Sequence, residues 1–205
     1  MIVEGKHDEH IFHAVIVLGG PGAGKSYIGG KIARTYGLKV VNPDTMYTFI
    51  KEKNRDPDWE QAYTEPDRVK RLLTGQLGGY LAGRLGILYD GTGREQKNIE
   101  EMVNTLKELG YLVMILFVNT DIDIARKRNA ERERSVPDSF LRQAHQDISL
   151  NLGYYHGLVN GRFLVLDNSH DGDTYLDYAM KYIASFLREP VPQSPAVKAW
   201  YRDNA

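Results

Sequence analysis

The segment Gly19-Gly20-Pro21-Gly22-Ala23-Gly24-Lys25-Ser26 matches the pattern G-x-x-x-x-G-K-[S/T] in full. Glycines at these places permit backbone conformations and close approaches that a Cβ would forbid, so successive N–H groups can turn into one concavity that suits an anion. A helical pattern starts at Lys25, and its unpaired N–H groups and positive dipole end face the same place. An apolar strand, Ala14–Leu18, leads into the loop, which is the context the pattern requires. The stretch Gly19 to Tyr27 therefore reads as a nucleotide-binding loop, with Lys25 reaching the β- and γ-phosphates and the Ser26 hydroxyl ligating Mg²⁺.

Around this loop the chain alternates strand and helix patterns. Five short runs rich in β-branched or aromatic residues, His13–Gly19, Leu38–Asn42, Gly86–Asp90, Tyr111–Asn119 and Arg162–Asp167, read as strands. Most are continuously apolar rather than alternating, as strands buried on both faces of a parallel sheet are. Helical patterns cover Lys25–Tyr36, Asp67–Leu85, Asn98–Leu109, Ile122–Arg134, Ser139–Leu152 and Thr174–Leu187. That order predicts an α/β layered fold with right-handed crossovers. Lys51–Pro66, with Pro57, Pro66 and many charges, reads as a surface excursion. Residues 189–205 carry Pro190, Pro192 and Pro195 and read as an extended tail with a frayed last turn, the alternative being that Trp200 and Tyr201 dock on the domain or a neighbouring subunit.

Composition narrows the classes. A length of 205 residues suits one domain, and 42% hydrophobic with 26% charged residues is that of a globular protein. With no Cys, disulfides, thiolate zinc sites and cysteine nucleophiles are excluded. No apolar run approaches the roughly 18–20 residues that span a bilayer, and no signal-peptide pattern opens the chain, so it reads as cytoplasmic and unanchored. The 26 Lys and Arg against 27 Asp and Glu argue against a protein that coats nucleic acid by global charge. Locally the balance differs: residues 124–142 hold six Lys or Arg against three acids, so a nucleic acid held at one mouth of the fold stays open as a partner.

A phosphate loop alone does not name a reaction. The N-K-x-D base-reading pattern of GTPases is absent from the chain, and its length does not suit a motor or transporter ATPase, which leaves kinases favoured. Three further segments carry a resemblance: Val40-Val41-Asn42-Pro43-Asp44-Thr45-Met46, Leu88-Tyr89-Asp90-Gly91-Thr92-Gly93-Arg94 and Arg142-Gln143-Ala144-His145-Gln146-Asp147. With the loop, in this order and over roughly residues 13–170, the chain resembles the zeta-toxin-like P-loop kinases, a group that takes in phage polynucleotide kinases and small phage nucleoside or base kinases.

The resemblance implies a three-layer P-loop kinase fold: a central five-stranded parallel sheet, order 2-3-1-4-5, flanked by helices, within a domain of residues 1–188. It implies a kinase that moves the γ-phosphate of ATP (or GTP) with Mg²⁺ to a hydroxyl-bearing acceptor. Asp44 matches the family's general base on that hydroxyl. Independently, a carboxylate at the carboxyl end of a strand beside the phosphate loop lies where open α/β sheets bind ligands, and it can also cap the helix Thr45–Lys51. Asp90, Thr92 and Arg94 match the family's acceptor-holding and metal-organising segment, with Ser26 and Asp90 as the metal pair. Asp90 stands where many members have Glu; its shorter side chain suits a place behind a magnesium water. An arginine-bearing lid is implied at about 124–142. Arg128 and Arg134 match its arginines best, although three extra residues before Gln143 leave the choice open among Arg128, Arg132 and Arg134. The structural readings of the same residues are a strand-end turn, a surface ion pair for Arg94 and a solvated charged helix face.

The acceptor reads as a nucleic-acid or nucleotide hydroxyl, a 5′-hydroxyl or a hydroxymethylated base. The alternatives are a UDP-amino sugar, as for the toxins, and a non-kinase nucleotide switch or ATPase. An antitoxin partner is not indicated by these residues, and oligomeric state is left open. His7, His10 and His13 recur every third residue without the carboxylate pattern of a metal site and read as surface or structural. Tyr47, Phe49, Trp59 and Tyr63 read equally as core or as a stacking set for an acceptor base, and His145 equally as packing or functional.

Overall fold

The computed structural model describes residues 7–42, 66–132, 135–170 and 174–204. Asp44, the helix expected over Thr45–Lys51, the aromatic set Tyr47, Phe49, Trp59 and Tyr63, and Arg134 lie outside the described residues.

Five strands, β1 His13–Leu18, β2 Lys39–Val41, β3 Ile87–Asp90, β4 Leu112–Asn119 and β5 Phe163–Asp167, form one sheet in the order β2-β3-β1-β4-β5. Every pairing is parallel; Val17 stands opposite Asp90 on one side and Leu116 on the other. Among the described residues the helices are α1 Lys25–Tyr36, α2 Pro66–Ala82, α3 Gln96–Glu108, α4 Ile122–Ala130, α5 Asp138–Leu158, α6 Thr174–Leu187 and α7 Pro195–Asp203. This is the expected three-layer architecture of the P-loop kinase fold.

Both faces of the sheet are covered, which explains the continuous apolar runs. Val15 and Val17 of β1 pack with Ile28 and Ile32 of α1 and with Ala179 and Ile183 of α6. Ala14, Ile16 and Leu18, alternate residues of the same strand, enter the opposite layer with Val103 and Leu106 of α3, Ile148 and Tyr155 of α5 and Trp200 of α7. With β1 central, its carboxyl end opens onto the crevice between β1 and β3, and the phosphate loop leaves from there.

Three local expectations change. Residues 195–203 form helix α7 rather than an extended tail. Ser194 accepts a hydrogen bond from Val197 N, and Pro195 occupies the first turn, where its missing N–H costs nothing. Trp200 docks on the domain itself: its Nε1–H donates to Ala82 O at 2.9 Å and its ring meets Phe12 edge-on. Helix α4 stops at Ala130, short of Arg134, because the buried Asn129 side chain bonds both polar groups of Val136. Helix α5 runs six residues beyond the expected Leu152, through Gly153 and Gly157, because Tyr155 is buried and donates its hydroxyl to Gly93 O at 2.7 Å.

Candidate active site

The phosphate loop is shaped by side chains that hold its carbonyls. Lys25 Nζ donates to Gly20 O at 3.0 Å, and Asn168 Nδ2 and Thr120 Oγ1 donate to Ala23 O at 2.8 and 3.2 Å. His145 Nε2 lies 2.9 Å from Pro21 O. Gly22 and Gly24 have φ of 78° and 89°, conformations that L side chains rarely adopt. Gly24 is also the residue from which α1 starts, and no side chain of its own caps that helix. The N-terminal turn at Lys25 and Ser26 is thus presented at the crevice.

Beside that turn lies Asp90, at the end of β3 and 6% exposed. One oxygen, Oδ2, accepts from Ser26 Oγ at 2.9 Å and from Asn42 Nδ2 at 2.8 Å. Lys25, Ser26, Asn42, Tyr89, Asp90, Thr92 and Arg132 line a cavity of about 200 Å³. Burial first, and then the Asp90 carboxylate beside it, push the Tyr89 hydroxyl above its ordinary range. A hydroxyl and a carboxylate in contact at the mouth of a phosphate loop are the hard oxygen donors that Mg²⁺ takes, so the residues fit that ion. Among the described residues no group of three or more His, Asp or Glu could hold a metal. His13, read as structural, has its two ring nitrogens at 2.9 Å from Ile11 O and 3.1 Å from Glu189 O.

A second cavity, about 390 Å³, lies on the other flank of α1. Gly24, Tyr27, Ile28, Arg128, Leu166, Asn168, His170 and Tyr175 are among its lining residues, combining apolar walls, rings and one guanidinium. Arg128 Nη1 donates to Asn168 O at 2.9 Å. The two cavities share the loop between them, one touching Gly24 and the other Lys25.

The structure separates the expected site residues into three groups. Lys25, Ser26, Asp90 and Thr92 come together in the smaller cavity, and Tyr27 and Arg128 line the larger one. Arg94 is drawn onto α5: Nε and Nη2 donate to Asp147 Oδ2 at 3.2 and 2.9 Å, and its guanidinium carbon stands 4.6 Å from the centre of the Phe140 ring. Gln143, donating to the other oxygen, and then Arg94 hold the Asp147 carboxyl below the usual carboxylate range. Asp44 and Arg134 lie outside the described residues. Sequence reasoning did not single out Asn42, Thr120 or Asn168 as site residues. Their one shared signal is a polar residue within a step or so of a strand's carboxyl end.

Fold, loop and cavities together define a P-loop nucleotide-binding α/β domain. A family model described as an AAA domain matches residues 15–150, well over half of the chain, so the chain belongs to that family. Solved structures with the same fold include a gluconokinase from Sinorhizobium meliloti 1021, 17% identical, with a TM-score of 0.56 over 86% of this chain and 94% of that one. A shikimate kinase from Bacteroides thetaiotaomicron is 14% identical, with a TM-score of 0.53 over 85% and 97%. The Pnkp1/Rnl/Hen1 RNA repair complex matches 73% of this chain and 48% of its own, at 16% identity and a TM-score of 0.56. At these identities the likeness is one of fold.

Proposed function

We propose that the chain is an ATP- and Mg²⁺-dependent phosphotransferase that moves the γ-phosphate to a hydroxyl on a nucleic acid or nucleotide, in the manner of the zeta-toxin-like and phage kinases it resembles. The observation that carries this reading is the contact of Asp90 with Ser26 inside the cavity that also holds Lys25 and Arg132. The cavity gives an acceptor hydroxyl room to stand beside the γ-phosphate position.

The nucleoside occupies the larger cavity, with Arg128 and the rings of Tyr27, His170 and Tyr175 around it. The phosphates follow the loop past Gly24 to Lys25, whose ammonium exchanges the Gly20 carbonyl for phosphate oxygens. Ser26 directly, and Asp90 through water, would hold Mg²⁺, which neutralises charge shared between the β- and γ-phosphates. The acceptor hydroxyl enters from the β2–β3 side, past Asn42 and Thr92, and Asp44 takes its proton as the oxygen attacks in line. Arg132 faces the transferred group, while Arg128, bonded to Asn168 O, serves the nucleoside side. Arg94, tied to Asp147, borders the acceptor path from α5.

The basic segment 124–142 supports a phosphate-rich acceptor, and one structural neighbour belongs to an RNA repair complex. The test is a screen of radiolabelled γ-phosphate transfer. Its panel is 5′-hydroxyl oligonucleotides, DNA with hydroxymethylated bases, nucleosides, UDP-amino sugars, gluconate and shikimate. Labelling of an oligonucleotide or nucleotide supports the proposal. Labelling only of a sugar or small acid overturns its acceptor, and labelling of none with brisk phosphate release overturns the transferase itself.

A further inference from the structure

We propose that His145 is a positioning residue of the phosphate loop, reaching it from helix α5 and setting the chemistry allowed at Gly20. The inference rests on the reading that this loop holds the phosphates of a nucleotide.

Two independent observations meet at this residue. The first is polar. The only hydrogen-bonding capacity Pro21 retains is its carbonyl, and His145 Nε2 stands 2.9 Å from it. Because a carbonyl accepts, the Nε2 of the ring carries the proton. The bond fixes the Pro21–Gly22 peptide unit with its oxygen turned toward α5. With that oxygen held by α5, the N–H of Gly22, which points the opposite way across the same planar trans peptide bond, is directed away from α5 and is available to an anion in the loop.

The second observation is steric. Gly20 does not have a positive φ, so its own backbone does not demand glycine. The three atoms nearest to where a Cβ on Gly20 would stand are Nε2, Cδ2 and Cε1 of the His145 ring, all inside the 3.0 Å that real Cβ atoms keep. Gly22 and Gly24 have a φ that itself favours glycine, besides close contacts of their own with Ala125 and Asn168; at Gly20 it is the imidazole that stands where a Cβ would go.

Helix α5 gives that ring a firm base. Asp147, two residues on, binds Arg94, Asn151 Nδ2 donates to Arg94 O at 3.1 Å, and Tyr155 donates to Gly93 O. At its start Asp138 takes Arg126 of α4 and Arg142 of its own next turn. One helix thereby ties the phosphate loop to the β3 exit and to the base of the arginine segment.

The test compares His145→Ala, His145→Gln, Gly20→Ala and the double variant Gly20→Ala/His145→Ala in the full chain. Binding of ATP·Mg²⁺ and of adenosine is measured by titration calorimetry, with the melting temperature of the ligand-free protein alongside. Loss of one net hydrogen bond weakens ATP binding by about fivefold in His145→Ala. Adenosine binding stays unchanged, because the ring meets the loop at Gly20 and Pro21, which do not line the larger cavity. Gln, whose Nε2 can reach the same carbonyl, restores ATP binding to within about twofold. Gly20→Ala binds ATP more weakly than either His145 variant, and the double variant binds it more tightly than Gly20→Ala alone. The inference is overturned if His145→Ala binds ATP as the wild type does. Equal losses for ATP and adenosine, or a double variant no better than Gly20→Ala, overturn it as well. A wild-type chain that binds no nucleoside triphosphate removes the underlying reading instead, and shows it before any variant is compared.

Discussion

At the scale of residues, the division of labour among the basic side chains yields distinct kinetic signatures. Lys25→Ala removes the ammonium that the proposed function sets on the β- and γ-phosphates and should cost turnover at least about 10²-fold. Arg132→Ala should lower kcat by about 10³-fold with little change in KM for nucleotide, whereas Arg128→Ala should raise that KM and spare kcat. Steady-state kinetics with the same acceptor separates the two, and the opposite pattern would exchange their assignments. Asp90→Asn should raise the Mg²⁺ concentration needed for half-maximal rate by about 10- to 100-fold, because the amide no longer draws a metal-bound water. Asp44→Asn should lose kcat while nucleotide affinity, read by calorimetry, holds.

The loop was legible in the sequence because its information is local: glycines, a lysine and a hydroxyl at fixed spacing. Its outer supports were not. Thr120, His145 and Asn168 meet the loop from 97, 124 and 145 residues away, and no spacing rule links a side chain to a carbonyl at that distance. The three candidate arginines were legible as a set; that Arg128 and Arg132 line different cavities follows the Asn129–Val136 clasp that ends α4 between them.

Among the elements, the strands were read closely because burial on both faces leaves an unbroken apolar run with sharp polar ends. Helix ends were missed where tertiary contacts override local signals. The helical pattern was read only to Leu152, yet α5 continues past Gly153 and Gly157, because buried Tyr155 outweighs two glycines at about 1 kcal/mol each. In the last segment, three prolines suggested an extended chain, but Pro195 starts a helix whose Val197 and Trp200 face the core one turn apart. Trp200→Ala should therefore destabilise the fold by about 3 kcal/mol, seen as a lowered urea midpoint at unchanged slope. An unchanged midpoint would mean that α7 is not part of the cooperative unit.

For the molecule as a whole, the pH dependence nearest neutrality comes from a group remote from the site. His13 is buried at the amino end of β1, and burial pushes its pKa below the ordinary 6.5 despite two carbonyls beside it. The unfolded chain then takes up a proton that the folded chain resists. Stability should be full above about pH 6.5 and fall as pH drops through that value, ceasing to change below the folded pKa. Urea melts at pH 7.5 and 5.5 should show this slope in the wild type and a reduced slope in His13→Gln. Asp147 and Asp167, held low by Gln143 and by Ser169 respectively, add a separate loss only at more acid pH, below the ordinary 3.8 of Asp.

The near-neutral net charge of −1 is an average over a basic segment, 124–142, and a more acidic remainder. Two of that segment's arginines, Arg128 and Arg132, line the cavities on either side of the loop's mouth. The central claim is that this mouth delivers phosphate to a hydroxyl and not to water. The most direct measurement follows radiolabelled γ-phosphate in a single turnover with a 5′-hydroxyl oligonucleotide or hydroxymethylated DNA, in wild type and Lys25→Ala. The account predicts Mg²⁺-dependent label on the oligonucleotide, in excess of free phosphate, appearing at least about 10²-fold more slowly in the variant. Rapid release of free phosphate at a rate that neither acceptor changes would contradict it.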